Sequence, residues 1–136
     1  MIYEFYKYQG TGNDFIIIDD RKETFDVNNF ALISRLCQRR VNIGADGLIL
    51  LRNHNLYDFE MIYFNSDGKK STMCGNGGRC IVAFAKFLGL IKNETTFLAD
   101  DGVHKSVVNG DEIILKMQDV KNIKSVDDGY YLFTGS

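Results

Sequence analysis

The sequence predicts an α+β fold: a mostly antiparallel sheet of short strands wrapped around one central, buried helix, with an additional amphipathic helix outside it. Three observations predict this. Short apolar runs recur along the chain, bounded by Gly, Asn, Asp or Ser, as strands joined by turns are. The run "IVAFAKFL" (81–88) has Lys86 as its one polar member, and a helix apolar nearly all round is enclosed by its own domain. Residues 28–39 carry a single apolar stripe instead.

The elements follow in order. "YEFYKY" (3–8) is aromatic-rich and reads as a strand, "GTGND" (10–14) breaks it, and "FIIID" (15–19) reads as a buried strand. Over 28–39, Asn28 or Asn29 can cap a helix. Phe30, Ile33, Leu36 and Cys37 fall on one face, while Ser34, Arg35, Gln38 and Arg39 point away. "NIGADG" (42–47) is a turn before a short strand, "LILL" (48–51). "YDFEMIYF" (57–64) alternates as a strand with one wet face, and "NSDG" (65–68) closes it with strong turn residues. The helix at 81–88 meets Gly89, a C-cap residue. "TTFLAD" (95–100), "VHKSVV" (103–108) and "EIILKM" (112–117) are strands, the last two flanking the hairpin signal Asn109-Gly110. "YYLF" (130–133) reads as one more.

The chain has 136 residues, the size of a single domain with a core of its own. A net charge of −2 with scattered Lys and Arg gives no basic footprint for nucleic acid. No apolar stretch approaches the ~18 residues of a membrane span, and "MIYEFYKYQGTGND" lacks the apolar core of a signal peptide. A cytoplasmic location is the expectation. Three cysteines make an odd count that disfavours a disulfide framework.

One stretch asks for chemistry. "MCGNGGRC" (73–80) places Cys74 directly before Gly75, Asn76, Gly77 and Gly78, at the mouth of the buried helix. The first N–H groups of a helix lie outside its internal ladder and the helix dipole is positive there. A thiolate at that point is stabilised, and the N–H groups that follow can hold a carboxylate. The stretch thus offers a base or nucleophile beside an anion holder. A small buried hydrophobe is the competing reading of a lone cysteine. A metal site is disfavoured because Cys74 and Cys80 are six apart and His54 and His104 lie in unrelated segments. A phosphate loop is disfavoured because no Gly-Lys-Ser/Thr follows. Cys37 and Cys80 read as core residues.

"YQGTGNDFIIID", "NIGADGLILL", "FNSDGKKSTMCGNGGRC" and the closing "TGS" occur in this order, and the chain resembles diaminopimelate epimerase from about residue 5 to its last residue. The family interconverts LL- and meso-diaminopimelate, on the route to lysine and peptidoglycan, without pyridoxal phosphate, so the resemblance implies no cofactor. It implies two similar halves, each a sheet around a central helix, with a small amino-acid substrate in the cleft between them. One cysteine thiolate removes the α-proton while a second cysteine thiol protonates the opposite face. Cys74 matches the first of this pair. Gly75 and Asn76 match positions whose backbone N–H groups hold the α-carboxylate, and Asn13 and Asn65 match substrate-contacting asparagines. Turn formation is the alternative reading of Asn13 and Asn65, each in a Gly- or Asp-rich turn.

Two departures from the family stand out. Some members carry Gln where this chain has Gly47. The second cysteine, its glycine loop and the substrate-gripping arginine and glutamate belong to a second half that this sequence does not contain. The expectation is a single domain, 1–136, equivalent to the N-terminal half of a two-half epimerase and inactive alone, its partner being the missing C-terminal half. A homodimer that pairs two copies as the halves would pair is a further expectation. Proline or hydroxyproline racemases and the phenazine-pathway isomerase are built similarly, and a non-catalytic binding or assembly domain remains an alternative.

Overall fold

A computed structural model describes residues 4–10, 12–40, 42–72 and 75–116. Seven strands and two helices follow one another along them: β1 (Tyr6–Gln9), β2 (Asp14–Asp19), α1 (Phe30–Leu36), β3 (Gly47–Arg52), β4 (Phe59–Asn65), α2 (Gly75–Phe87), β5 (Glu94–Ala99), β6 (Gly102–Asn109) and β7 (Glu112–Lys116). The fold class is α+β. The strands form one sheet in sequence order. β1–β2, β3–β4, β5–β6 and β6–β7 pair antiparallel, whereas β2–β3 and β4–β5 are parallel. The sheet is therefore mixed. Each parallel pairing spans a helix, α1 in one case and α2 in the other, because parallel neighbours need a crossover rather than a hairpin.

Burial explains the two uninterrupted apolar runs. Phe15, Ile17, Ile49 and Leu51 face α2, and they pack with Cys80, Ile81, Val82, Phe84 and Ala85. Ile16, Ile18, Leu48 and Leu50 face the other way, into a second core with Phe25, Ile33, Cys37, Ala45 and Phe64. Strands covered on both faces read as continuous hydrophobic segments. β5 and β6 are buried on alternate residues instead. α2 packs against β7, β2, β3 and β1, so the sheet curls far enough for its first and last strands both to reach this helix.

α1 is capped by Asn29, whose Oδ1 accepts from Leu32 N at 3.1 Å. Its buried stripe is narrower than the sequence pattern suggests. Ile33 and Cys37, one turn apart, are buried, while Phe30 is 48% exposed. α2 starts at Gly75, six residues before the apolar run, with Gly75, Asn76, Gly77 and Gly78 all buried. Each glycine costs about 1 kcal/mol of helix propensity, so the pattern alone puts the start later. Phe87, in the last turn, is 63% exposed. The helix stops in a Schellman arrangement: Leu90 N donates to Ala85 O, Gly89 N donates to Lys86 O, and Gly89 takes φ +82°.

The β6–β7 hairpin forms where the sequence signal puts it, but one residue out of register: Asn109 ends β6 opposite Glu112, and Gly110 takes φ +64°. The loop residues are thus Gly110 and Asp111. Residues 130–133 lie outside the described residues, as does Cys74. No described helix is long and apolar enough to cross a membrane.

Candidate functional site

Strand register gathers the candidate residues at one end of the sheet. Phe15 pairs with Gly47, and Gly47 pairs with Asn65. The start of β2, the start of β3 and the end of β4 therefore meet. Asn13 stands two residues before Phe15, in the turn closed by Gly10 N donating to Asn13 O at 2.8 Å. The first turn of α2 reaches the same place, since Asn76 Nδ2 donates to Asn13 Oδ1 at 2.7 Å.

The contact needs a particular neighbour. A Cβ on Gly10 would lie 2.8 Å from Asn76 Cβ and 3.1 Å from its Cγ, so the β1–β2 turn approaches the helix closely because residue 10 has no side chain. Asn76 is buried, at 7% exposure. Its Oδ1 accepts from Arg79 Nη2, three residues on along the same helical face.

Asn13 continues the connection. Its Nδ2 donates to Asp46 Oδ2 at 3.2 Å. Asp46 and Asp14 then lock the starts of β3 and β2 reciprocally: Asp14 N donates to Asp46 Oδ2 at 3.0 Å and Asp46 N to Asp14 O at 2.9 Å. Arg39 clamps both carboxylates, at 2.8 Å from Asp14 Oδ1 and 2.9 Å from Asp46 Oδ1, and Lys7 lies 3.0 Å from Asp14 Oδ2. Hydrogen bonds from Arg39, with those and the charge of Lys7, hold the Asp14 carboxyl well below the usual carboxylate range. Gln9, Gly10, Gly12, Asn13, Asp14, Arg39 and Asp46 line a polar cleft of about 360 Å³ here. A second cleft, of about 430 Å³, adjoins it through Gln9 and Gly10 and runs along Arg79, Cys80 and Ala83 of α2. A third, bordered by Asp58, Lys105 and Lys116, contains none of the candidate residues.

Of the residues singled out by sequence, Asn13 and Asn76 are joined directly, and Gly75 opens α2 beside them. Asn65 sits at the same end of the sheet by register, and it is exposed. Its backbone serves the following turn, donating to Lys69 O and accepting from Gly68 N, both at 2.9 Å. Its exposed side chain makes no hydrogen bond to a described residue. At Gly47, a Cβ would lie 2.7 Å from Phe64 O and 2.7 Å from Tyr63 Cε1. Tyr63 holds the space that a longer side chain at this position would enter.

Cys37 and Cys80 are both buried core residues. Burial pushes the Cys37 thiol up to about 11, which removes it as a base at neutral pH. Sequence reasoning missed Asp46 and Arg79. Asp46 was hidden in an ordinary turn, and the i, i+3 relation of Asn76 to Arg79 emerges only once the helix is known to begin at Gly75.

Comparisons with known proteins bear on the family and the fold. A family model described as diaminopimelate epimerase matches residues 5–123. The diaminopimelate epimerase of Flavobacterium psychrophilum is 59% identical over 132 residues, covering 96% of this chain and 52% of that protein. That of Campylobacter jejuni is 41% identical over 123 residues, covering 90% and 48%. Among solved structures, a hydroxyproline epimerase from Agrobacterium vitis superposes with a TM-score of 0.62 at 12% identity, over 85% of this chain and 41% of that one. A phenazine biosynthesis protein of the PhzF family from Enterococcus faecalis gives 0.65 at 12% identity, over 83% and 43%. These two likenesses concern the fold alone. The chain spans about half the length of the curated relatives it matches. By sequence along nearly all its length, it belongs to the diaminopimelate epimerase family.

Proposed function

We propose that the chain supplies one half of a pyridoxal-independent diaminopimelate epimerase: a sheet curled about α2, carrying the first of two cysteine bases. The observation that carries this reading is the Asn76–Asn13 hydrogen bond. It joins the first turn of α2 to the β1–β2 turn beside a polar cleft, immediately after Cys74 in the sequence.

The reaction proposed is the one that the family resemblance implies. Backbone N–H groups at Gly75 and Asn76 hold the substrate α-carboxylate, with Asn13 and Asn65 contacting the rest of the amino acid. The Cys74 thiolate takes the α-proton, so the Cα–H bond breaks and an S–H bond forms. The electron pair left on Cα spreads into the carboxylate, where the growing charge meets N–H donors already in place. A thiol on the opposite face, from the second half, returns a proton to Cα and inverts its configuration. One half alone completes only the first transfer.

Diaminopimelate in D2O, followed by proton NMR, tests this. The expected result is α-proton exchange and epimerisation when the second half is present, both lost in Cys74→Ala, and no epimerisation by the 136-residue chain alone. Exchange that survives Cys74→Ala, or is missing with both halves together, would overturn the proposal.

A further inference from the structure

We infer that Arg79 and Asp46 are positioning residues, placed at the two ends of a hydrogen-bond relay that fixes which end of each amide, Asn76 and Asn13, stands at which point of the site. The inference deepens the function proposed above and rests on it for the identity of the ligand.

The relay has four members. Arg79 Nη2 donates to Asn76 Oδ1, Asn76 Nδ2 donates to Asn13 Oδ1 at 2.7 Å, and Asn13 Nδ2 donates to Asp46 Oδ2 at 3.2 Å. An asparagine amide is nearly symmetric in shape and can exchange its oxygen and nitrogen by a half-turn about its last bond. In this relay neither amide has that freedom. A guanidinium only donates and a carboxylate only accepts. Arg79 therefore compels Asn76 to turn its oxygen toward it, which places Nδ2 against Asn13. Asp46 compels Asn13 to turn Nδ2 outward, which places its oxygen against Asn76. Both ends demand the same sense, and turning either amide would set oxygen against oxygen or nitrogen against nitrogen.

The far end of the relay is itself anchored. The other oxygen of Asp46 accepts from Arg39 Nη2 at 2.9 Å, and Oδ2 also takes the N–H of Asp14. The carboxylate therefore cannot rotate away from Asn13 without breaking several bonds. Each amide nitrogen carries two N–H groups. The relay uses one from Asn13, and the second engages no other described residue. With Asn13 fixed in this sense the cleft meets a carboxylate-bearing ligand with a donor at Nδ2. With it reversed, a carbonyl oxygen would face the anion. This gives Arg79, on α2, a role in orienting Asn13, in the β1–β2 turn, through Asn76.

The test uses Arg79→Lys, Arg79→Met and Arg79→Glu, since Arg79 is only partly buried and its replacement leaves the core intact. Side-chain amide signals of Asn13 and Asn76 are recorded by 15N NMR on the 136-residue chain, with the exposed Asn29 amide as a control. Arg79→Lys keeps a donor-only end and is expected to leave both amide pairs near their original positions. Arg79→Glu replaces it with an acceptor and is expected to move the Asn13 pair as well as the Asn76 pair, with Asn29 unchanged. In the two-half enzyme the same variant should lose about tenfold or more in kcat/KM, Arg79→Met an intermediate amount and Arg79→Lys less than about threefold. An Asn13 pair that stays put in Arg79→Glu, or Lys and Glu variants that behave alike, would overturn the relay. The NMR shifts do not depend on turnover. If they propagate as expected while the unmodified two-half enzyme fails to act on diaminopimelate, the relay stands and the proposed function fails.

Discussion

Gly10 makes no hydrogen bond with its absent side chain, yet it decides whether the site can assemble. Any Cβ there would lie 2.8 Å from Asn76 Cβ, and neither atom is the far end of a flexible chain. Gly10→Ala must push Asn76 away from Asn13 or pull the β1–β2 turn off α2. We expect a loss of about 1–3 kcal/mol, the usual range for forcing atoms into a packed region, and displacement of the Asn76 amide signal. Urea unfolding and the same NMR spectrum check the two effects. A variant as stable as the parent with an unmoved Asn76 signal would show that the turn has slack.

At the scale of elements, the two helices are held in different ways. α2 contains three glycines among its first four residues, a composition that would not hold an isolated helix; its first turn is enclosed, and tertiary packing supplies what propensity lacks. α1 has only seven residues and one fully buried side chain, Ile33, so it depends more on its ends. Asn29 Oδ1 bonded to Leu32 N is its N-cap. Asn29→Ala should cost about 1 kcal/mol, seen as a lower urea midpoint with an unchanged slope and unaltered amide signals at Asn13 and Asn76.

Across the whole molecule, the cluster of Lys7, Asp14, Arg39 and Asp46 ties together β1, β2, the segment after α1 and the start of β3. Its contribution depends on pH with a definite sign. The Asp14 carboxyl is lowered in the folded protein, chiefly by its hydrogen bonds to Arg39, and Asp19 is lowered in the same way by Arg21. The unfolded chain binds these protons first as pH falls, so the stabilisation is present above the ordinary carboxylate value of about 4 and is lost progressively below it. Thermal unfolding from pH 6 down to pH 2 should show Tm falling below about pH 4. Asp14→Asn should start from a lower Tm at pH 6 and fall less steeply. Added salt should weaken the difference, because Arg39 is half exposed. An unchanged slope in Asp14→Asn would mean that the cluster is not coupled to folding.

The sequence by itself determined what is local. Periodicity and turn residues marked strands at 15–19, 48–51 and 57–64, Asn109-Gly110 marked a hairpin, and Gly89 marked a helix end. Each of these signals acts between residues a few positions apart. Only the tertiary structure decided the two parallel pairings, the extension of α2 back through its glycines, the exposure of Phe30 and the relay from Arg79 to Asp46. Asn13 is 63 residues from Asn76 and 33 from Asp46, and no local pattern encodes a partner at that distance. Burial overrode propensity at the start of α2, and packing that helix against the curled sheet brought two ordinary turns and one helix end into hydrogen-bonding reach.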